Sequence, residues 1–108
     1  MDRLDPIFNA LADATRRAIL ARLAQGEATV GALSEPFSIS APAISRHLKV
    51  LERASLITNE RNGKERVCRL RPDTLASAQE WLDFSNRFWN ASFARLDRRL
   101  KKSRKENA

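Results

Sequence analysis

The chain has 108 residues, a net charge of +7 from twenty Lys and Arg against thirteen Asp and Glu, and a single cysteine. That length builds one core and leaves no room for a second, catalytic domain, and a hydrophobic fraction of 43% is too high for a disordered chain. One cysteine excludes an internal disulfide framework, and no apolar run approaches the roughly eighteen residues of a membrane span. The expectation is a small, basic, soluble cytoplasmic domain that attracts polyanions, because its opening, MDRLDPIFNALAD, is amphipathic and acidic and unlike a signal peptide.

Five helices and one hairpin account for nearly all of the chain. The first helix is expected to start with Asp5 as N-cap and Pro6 at the first helical position, to carry Ile7, Phe8 and Leu11, and to end near Asp13. Asp13 then caps a second helix with a stripe of Ile19, Leu20 and Leu23, closed by Gln25-Gly26. Thr29 caps a short third helix holding Val30, Leu33 and Phe37, which Pro36 limits to about two turns. Ser40 caps a fourth, from Ala41 to about Ala54, with Pro42 in its first turn. Ile44, Leu48 and Leu51 form one narrow apolar face on it. Only Ser38-Ile39-Ser40 separates the third and fourth helices, which is the helix-turn-helix arrangement. Asn62-Gly63 between Leu56–Arg61 and Lys64–Arg71 predicts a hairpin with a type I′ turn. Pro72 ends its second strand, and one helix of about 40 Å follows from Asp73 to Lys101. A domain over residues 1–102 with a frayed basic tail at 103–108 results.

The positive charge is concentrated. Residues 40–72 hold Arg46, Lys49, Arg53, Arg61, Lys64, Arg66, Arg69 and Arg71 against three acids, and residues 95–105 hold seven basic residues against Asp97 alone. On the fourth helix the face opposite the Ile44 stripe has a small front of Ala41, Pro42 and Ser45, followed by Arg46 and Lys49. A helix with so small a front fits a major groove about 12 Å wide, where Arg46 reaches guanine O6 and N7 and Ser45 reaches a base edge or phosphate. Lys49 and Arg53 lie further along and meet the backbone; Ser40 stands at the helix entrance. A charged outer face is often merely solvated, but here it sits between a helix-turn-helix spacing and a hairpin. Arg61, Asn62 and Lys64 at the hairpin tip, with Arg66 behind, fit a wing lying along the DNA backbone; the plainer alternative is an edge hairpin protected by charge.

These residues resemble a known family. Leu11-Ala12-Asp13-Ala14-Thr15-Arg16-Arg17-Ala18-Ile19-Leu20 resembles the opening L-A-D-P-T-R-R-x-I-L of ArsR-type winged-helix repressors, and Ile39 to Leu51 resembles their recognition helix, S-x-x-x-[VI]-S-x-H-L-K-V-L. Ala54-Ser55-Leu56-Ile57 is similar to the A-G-L-[IV] that leads into their wing. Ala14 stands where Pro is common and Ser55 where Gly is, and neither departure bears on the function. The resemblance covers residues 5 to about 100 and implies a mainly α winged helix-turn-helix with a small β-hairpin, acting as a homodimeric, sequence-specific regulator of transcription, usually a repressor.

Metal-sensing members of that family carry Cys pairs before the recognition helix, or His and carboxylate clusters on the last helix. Gly31-Ala32-Leu33-Ser34 holds no thiol, and the last helix has Asp73, Glu80, Asp83 and Asp97 but no His. With one Cys and one His in the chain neither site can be assembled, so no metal and no cofactor are expected. Cys68 shares its strand face with Leu70 and reads as a core thiol, His47 as a packed histidine, Arg16 as a paired structural arginine, and Arg17 as a possible phosphate contact.

The last helix has more apolar surface than one small domain covers. Leu75, Ala78, Leu82, Trp89, Phe93, Leu96 and Leu100 form one stripe, and Trp81, Phe84 and Phe88 another. One stripe is expected to pack on the helix-turn-helix body; the other marks an interface with a second copy, which the first helix extends through Ile7, Phe8 and Leu11. A ligand pocket lined by the same rings is the alternative. A two-fold pair of recognition helices about 34–36 Å apart meets successive major grooves, so the DNA partner is an imperfect palindrome. The competing class is a winged-helix module that binds protein or RNA; it fits less well because the outer face of the fourth helix has no apolar anchor. An enzyme is excluded by the lack of any nucleophile–base pair, with one His, one Cys and no Tyr.

Overall fold

The computed structural model describes residues 3–106. They form two compact units, the first ending at Leu75 and the second starting at Ala76.

In the first unit, helix α1 (Leu4–Leu11) starts earlier than the sequence suggests. Arg3 is already helical, with φ −59° and ψ −24°, and offers no side-chain cap; Asp5 therefore lies inside the first turn, not at its edge. Both residues still suit that turn. A carboxylate there faces the positive end of the helix dipole, and Pro6 lacks only an N–H that the first turn leaves unpaired. Asp13 sits in extended geometry and its carboxylate accepts the Arg16 amide at 3.1 Å, capping helix α2 (Ala14–Leu23) as expected. Gly26 follows with φ +145°.

Strand β1 (Ala28–Thr29) was not expected. It pairs antiparallel through Ala28↔Cys68 and Thr29↔Val67, so the hairpin becomes a three-stranded sheet. Thr29 also caps helix α3 (Val30–Ser34), accepting the Ala32 amide at 3.1 Å. That helix stops before Pro36, so Phe37 lies beyond it, half-buried in the turn, and not on it as expected. Ser40 caps helix α4 (Ala41–Arg53) through the Ala43 amide at 3.3 Å.

The end of α4 explains Ser55. Its amide donates to the Glu52 carbonyl and the Leu56 amide to the Leu51 carbonyl, both at 3.0 Å, which is a Schellman closure. That closure needs a left-handed residue, and Ser55 supplies it with φ +60°. A glycine would do so without the steric penalty. The chain then passes directly into strand β2 (Ile57–Asn62), which pairs with β3 (Glu65–Leu70) in a ladder running from Ile57↔Leu70 to Asn62↔Glu65. This register makes Gly63-Lys64 the two-residue turn, one position later than expected. Gly63 has φ +65° and Lys64 is not left-handed, which excludes a type I′ turn and matches the type II′ pattern of glycine at the first central position.

Sheet order β1-β3-β2 puts β3 at the centre. Ile19, Leu33, Ile44, Leu48, Leu51, Leu56, Ile57 and Cys68 are the largest fully buried side chains, so the faces predicted from the apolar spacing of α2 and α4 point inward, and on α3 Leu33 does. Burial pushes the Cys68 thiol above its ordinary titration range, with Glu52 adding to the shift.

Helix α5 (Pro72–Glu106) has 35 residues, about 52 Å. Pro72 opens it instead of merely ending the strand, and it continues through Ser103–Glu106, where fraying was expected; residues 107 and 108 lie outside the described range. From Trp81 onward both apolar stripes are open in the single chain. Phe84 is 65% exposed and Phe93 60%. Phe88 meets Trp89 edge-on at 5.3 Å, and Trp89 stacks on Phe93 at 6.0 Å. No helix among the described residues is long and apolar enough to cross a membrane.

Candidate nucleic-acid interface

Burying Ile44, Leu48 and Leu51 leaves the opposite side of α4 outward. Ala41, Pro42, Ser45, Arg46, Lys49 and Arg53 are all exposed there. Pro42 and Ser45 keep the front narrow, and the Arg46 Nε donates to the Pro42 carbonyl one turn back at 3.4 Å, which lays its guanidinium along that front. Ser40 is exposed but its hydroxyl is already engaged as the helix cap.

The wing carries the second group of cations. Arg66 donates from Nε to the Asn59 side-chain oxygen at 3.0 Å and from Nη2 to the Asn59 carbonyl at 3.3 Å, which ties it across the β2–β3 ladder. At the tip Arg61 Nε donates to the Gly63 carbonyl at 3.2 Å; Asn62 precedes the turn and Lys64 lies in it, both exposed.

An open groove of about 530 Å³ runs between the start of α3, the outer side of α4 and the wing. It brings together Ser45, Lys49, Lys64 and Arg66 of the expected contact residues. Ser40, Ala41, Pro42, Arg46, Arg53, Arg61 and Asn62 do not line it: they lie on the front and far end of α4 or at the wing tip. Thr29, Gly31 and Asn59 also line the groove and were missed, because β1, which brings Thr29 and Gly31 beside the wing, has no periodic signal in two residues. Glu52 and Glu65 line it too, so it is mixed in charge and not simply cationic.

Behind α4 lies a polar cluster. Arg16 donates from Nε to the Ala10 carbonyl at 2.7 Å and from Nη2 to the Asn9 carbonyl at 3.0 Å, and its Nη1 lies 3.3 Å from His47 Nδ1. Arg16 is thus the structural arginine expected from its place on the α2 stripe. His47 is half-buried, with Nδ1 also 3.9 Å from the Asp13 carboxylate. The hydrogen bond from the Arg16 amide holds the Asp13 carboxyl below its usual range; partial burial opposes this, and the charges of a protonated His47 and of Arg16 reinforce it. Arg17 Nη1 donates to the Leu11 carbonyl at 2.8 Å, closing the end of α1. Among the described residues no group of three or more His, Cys, Asp or Glu side chains is placed to hold a metal ion.

Helices α3 and α4 joined by a short turn, followed by a two-stranded wing, define a winged helix-turn-helix protein. Comparison with known proteins agrees: residues 11–60 match the family described as "Helix-turn-helix domain". The HTH-type transcriptional regulator Rv2034 of Mycobacterium tuberculosis is 47% identical over 79% of this chain and 77% of its own length. The transcriptional repressor SdpR of Bacillus subtilis is 38% identical over 78% of this chain and 94% of its own. A crystallised ArsR family transcriptional regulator superimposes with a TM-score of 0.78 at 36% identity, over 82% of this chain and 98% of that one. The homodimeric winged helix-turn-helix DNA-binding domain Mb0332 of Mycobacterium bovis gives a TM-score of 0.64 at 29% identity, over 76% and 80%. The chain belongs to the ArsR family of winged helix-turn-helix transcriptional regulators, a family of regulators and not of enzymes.

Proposed function

We propose that the protein is a homodimeric, metal-independent repressor that reads an imperfectly palindromic operator. The observation that carries this reading is the front of α4, where small residues and Arg46 are exposed on a helix whose other side is fully anchored in the core. Ser45 and Arg46 read base edges, and Ala41 and Pro42 allow close approach. Ser40, Lys49 and Arg53 meet the backbone. Arg61, Asn62, Lys64 and Arg66 of the wing contact phosphates beside the groove. Lys49, Lys64 and Arg66 neutralise the phosphates nearest the open groove, and Glu52 and Glu65 there limit binding to DNA in general.

Dimerisation is supported by the exposed rings of α5, since an aromatic surface of this extent is costly to leave in water, and by the homodimeric state of Mb0332. Trp81, Phe84, Phe88, Trp89, Phe93 and Leu96 face the second copy, and Phe8 and Leu11 add to the surface. Ile7, assigned to the interface on sequence grounds, is 3% exposed in the single chain and has little left to offer a partner. Metal independence is supported by the donor count, one Cys and one His, with the Cys buried in the sheet. The kinship with SdpR supports repression, which follows when the bound dimer occludes a promoter.

A gel shift on the region upstream of its own gene tests the reading. A sequence-dependent band that weakens steeply with salt and is unaffected by zinc is expected. Absence of any sequence-dependent band removes the proposal and favours a winged-helix module for protein or RNA; release by zinc removes metal independence.

A further inference from the structure

We infer that Arg16 is a positioning residue for DNA reading: it locks the rotation of α4 by holding His47 Nδ1 and the end of α1 on one guanidinium. The inference rests on the proposed role of α4 and deepens it. One planar group meets three acceptors from two other helices, the Ala10 and Asn9 carbonyls of α1 and His47 Nδ1 of α4. Asn9 and Ala10 lie in the last turn of α1, where a cation is favoured; the Asn9 carbonyl also accepts the Ala12 amide at 3.2 Å. A guanidinium suits the task because its donors are fixed in one plane; an ammonium at the same place cannot serve three acceptors at these angles.

The third acceptor gives the cluster its bearing on DNA. His47 follows Arg46 directly, and the two side chains leave α4 on different sides, one toward Arg16 and one toward solvent. A small turn of α4 about its axis swings Arg46 away from the bases it is proposed to read, while the apolar stripe of Ile44, Leu48 and Leu51 resists such a turn through non-directional packing. The Arg16–His47 contact is directional. Because Arg16 only donates, His47 must present a bare Nδ1, with the proton of the neutral ring on Nε2. Asp13 caps the helix that carries Arg16, accepting the Arg16 amide at 3.1 Å.

The test compares the full-length protein on its operator and on a scrambled duplex of equal length by fluorescence anisotropy. Arg16→Lys is expected to lower operator affinity about tenfold, the scale of one charge-assisted hydrogen bond, and to leave the scrambled duplex unaffected. His47→Ala is expected to reproduce that loss. His47→Asn, whose amide oxygen occupies the place of Nδ1, is expected to restore operator affinity. The double variant Arg16→Lys/His47→Ala is expected to lose no more than either single one. Equal losses on both duplexes, or additive losses that follow the melting temperature, overturn the inference and leave Arg16 a stability residue. Nitrogen NMR of His47 separates this from the function itself. A bare Nδ1 in the neutral wild-type ring that changes in Arg16→Lys upholds the link even if no operator exists; a protonated Nδ1 overturns it even if one does.

Discussion

Helices α4 and α5 obey the same apolar spacing and reach opposite outcomes. On α4 the stripe of Ile44, Leu48 and Leu51 is no more than 2% exposed, whereas on α5 Trp89, Phe93, Leu96 and Leu100 are 51–60% exposed. The difference is one of partners, not of pattern. Helix α4 meets a sheet and two other helices within its own unit, and what remains outside is small and cationic. Helix α5 carries its rings exposed along several turns, the surface on which the proposed dimer rests. Helix α4 is a finished part within its unit, and α5 is not.

The largest expected effect tests the unfinished half. Phe88→Asp or Trp89→Asp is expected to give monomer in sedimentation and to lower operator affinity by about a hundredfold or more, the scale of losing two-site engagement. A dimer of unchanged strength would move the interface away from these rings. Next, Leu48→Ala is expected to destabilise the fold by about 2–5 kcal/mol in chemical unfolding, through lost burial and a cavity. Leu96→Ala is the matched control: it should leave a dilute monomer within about 0.5 kcal/mol and appear only as a shift in the concentration dependence of melting. Arg46→Ala is expected to lose about 1–3 kcal/mol of discrimination at one or two base pairs without weakening scrambled DNA. A uniform loss makes it a phosphate contact. Ser55→Gly, at the end of α4, is expected to raise stability by up to about 1 kcal/mol, relief of the left-handed strain exceeding the added chain entropy.

The smallest effect concerns the helix start that carries Arg16. The Asp13 carboxyl titrates lower in the fold than its ordinary 3.8. Its contribution is therefore fully present above that value and disappears as pH falls through the lowered folded value. Asp13→Ala is expected to melt below wild type at neutral pH, with the gap closing only in the acid range beneath 3.8. A gap that closes near neutrality would assign the pH dependence to another group.

Caps and stripes were legible because each is a local rule. Asp13, Thr29 and Ser40 each accept the amide that the spacing assigns to them, and the inward faces of α2 and α4 follow directly from apolar period. What was hidden depends on distant pairing. Two residues of β1 have no alternation to read, and they become a strand only because β3 lies beside them. The Asn62-Gly63 pair reads as the stronger turn signal, but the register from Ile57↔Leu70 sets the turn at Gly63-Lys64. The cations of the candidate interface were legible by type and position, as was Glu52, three residues past Lys49 on α4; Glu65 joins that surface through the β2–β3 pairing. Arg16 was legible as a paired residue from its stripe, but not its partner thirty-one positions away.

Cys68 lies at the centre of the middle strand, opposite both Ala28 and Asn59, with 0% of its surface open and its thiol held in the protonated form by burial. As the chain's only sulfhydryl it is an internal clock. An alkylating reagent reaches it only when the side chains packed on that face of the sheet move away, so the rate of labelling reads out how often the core opens there, without any engineered probe.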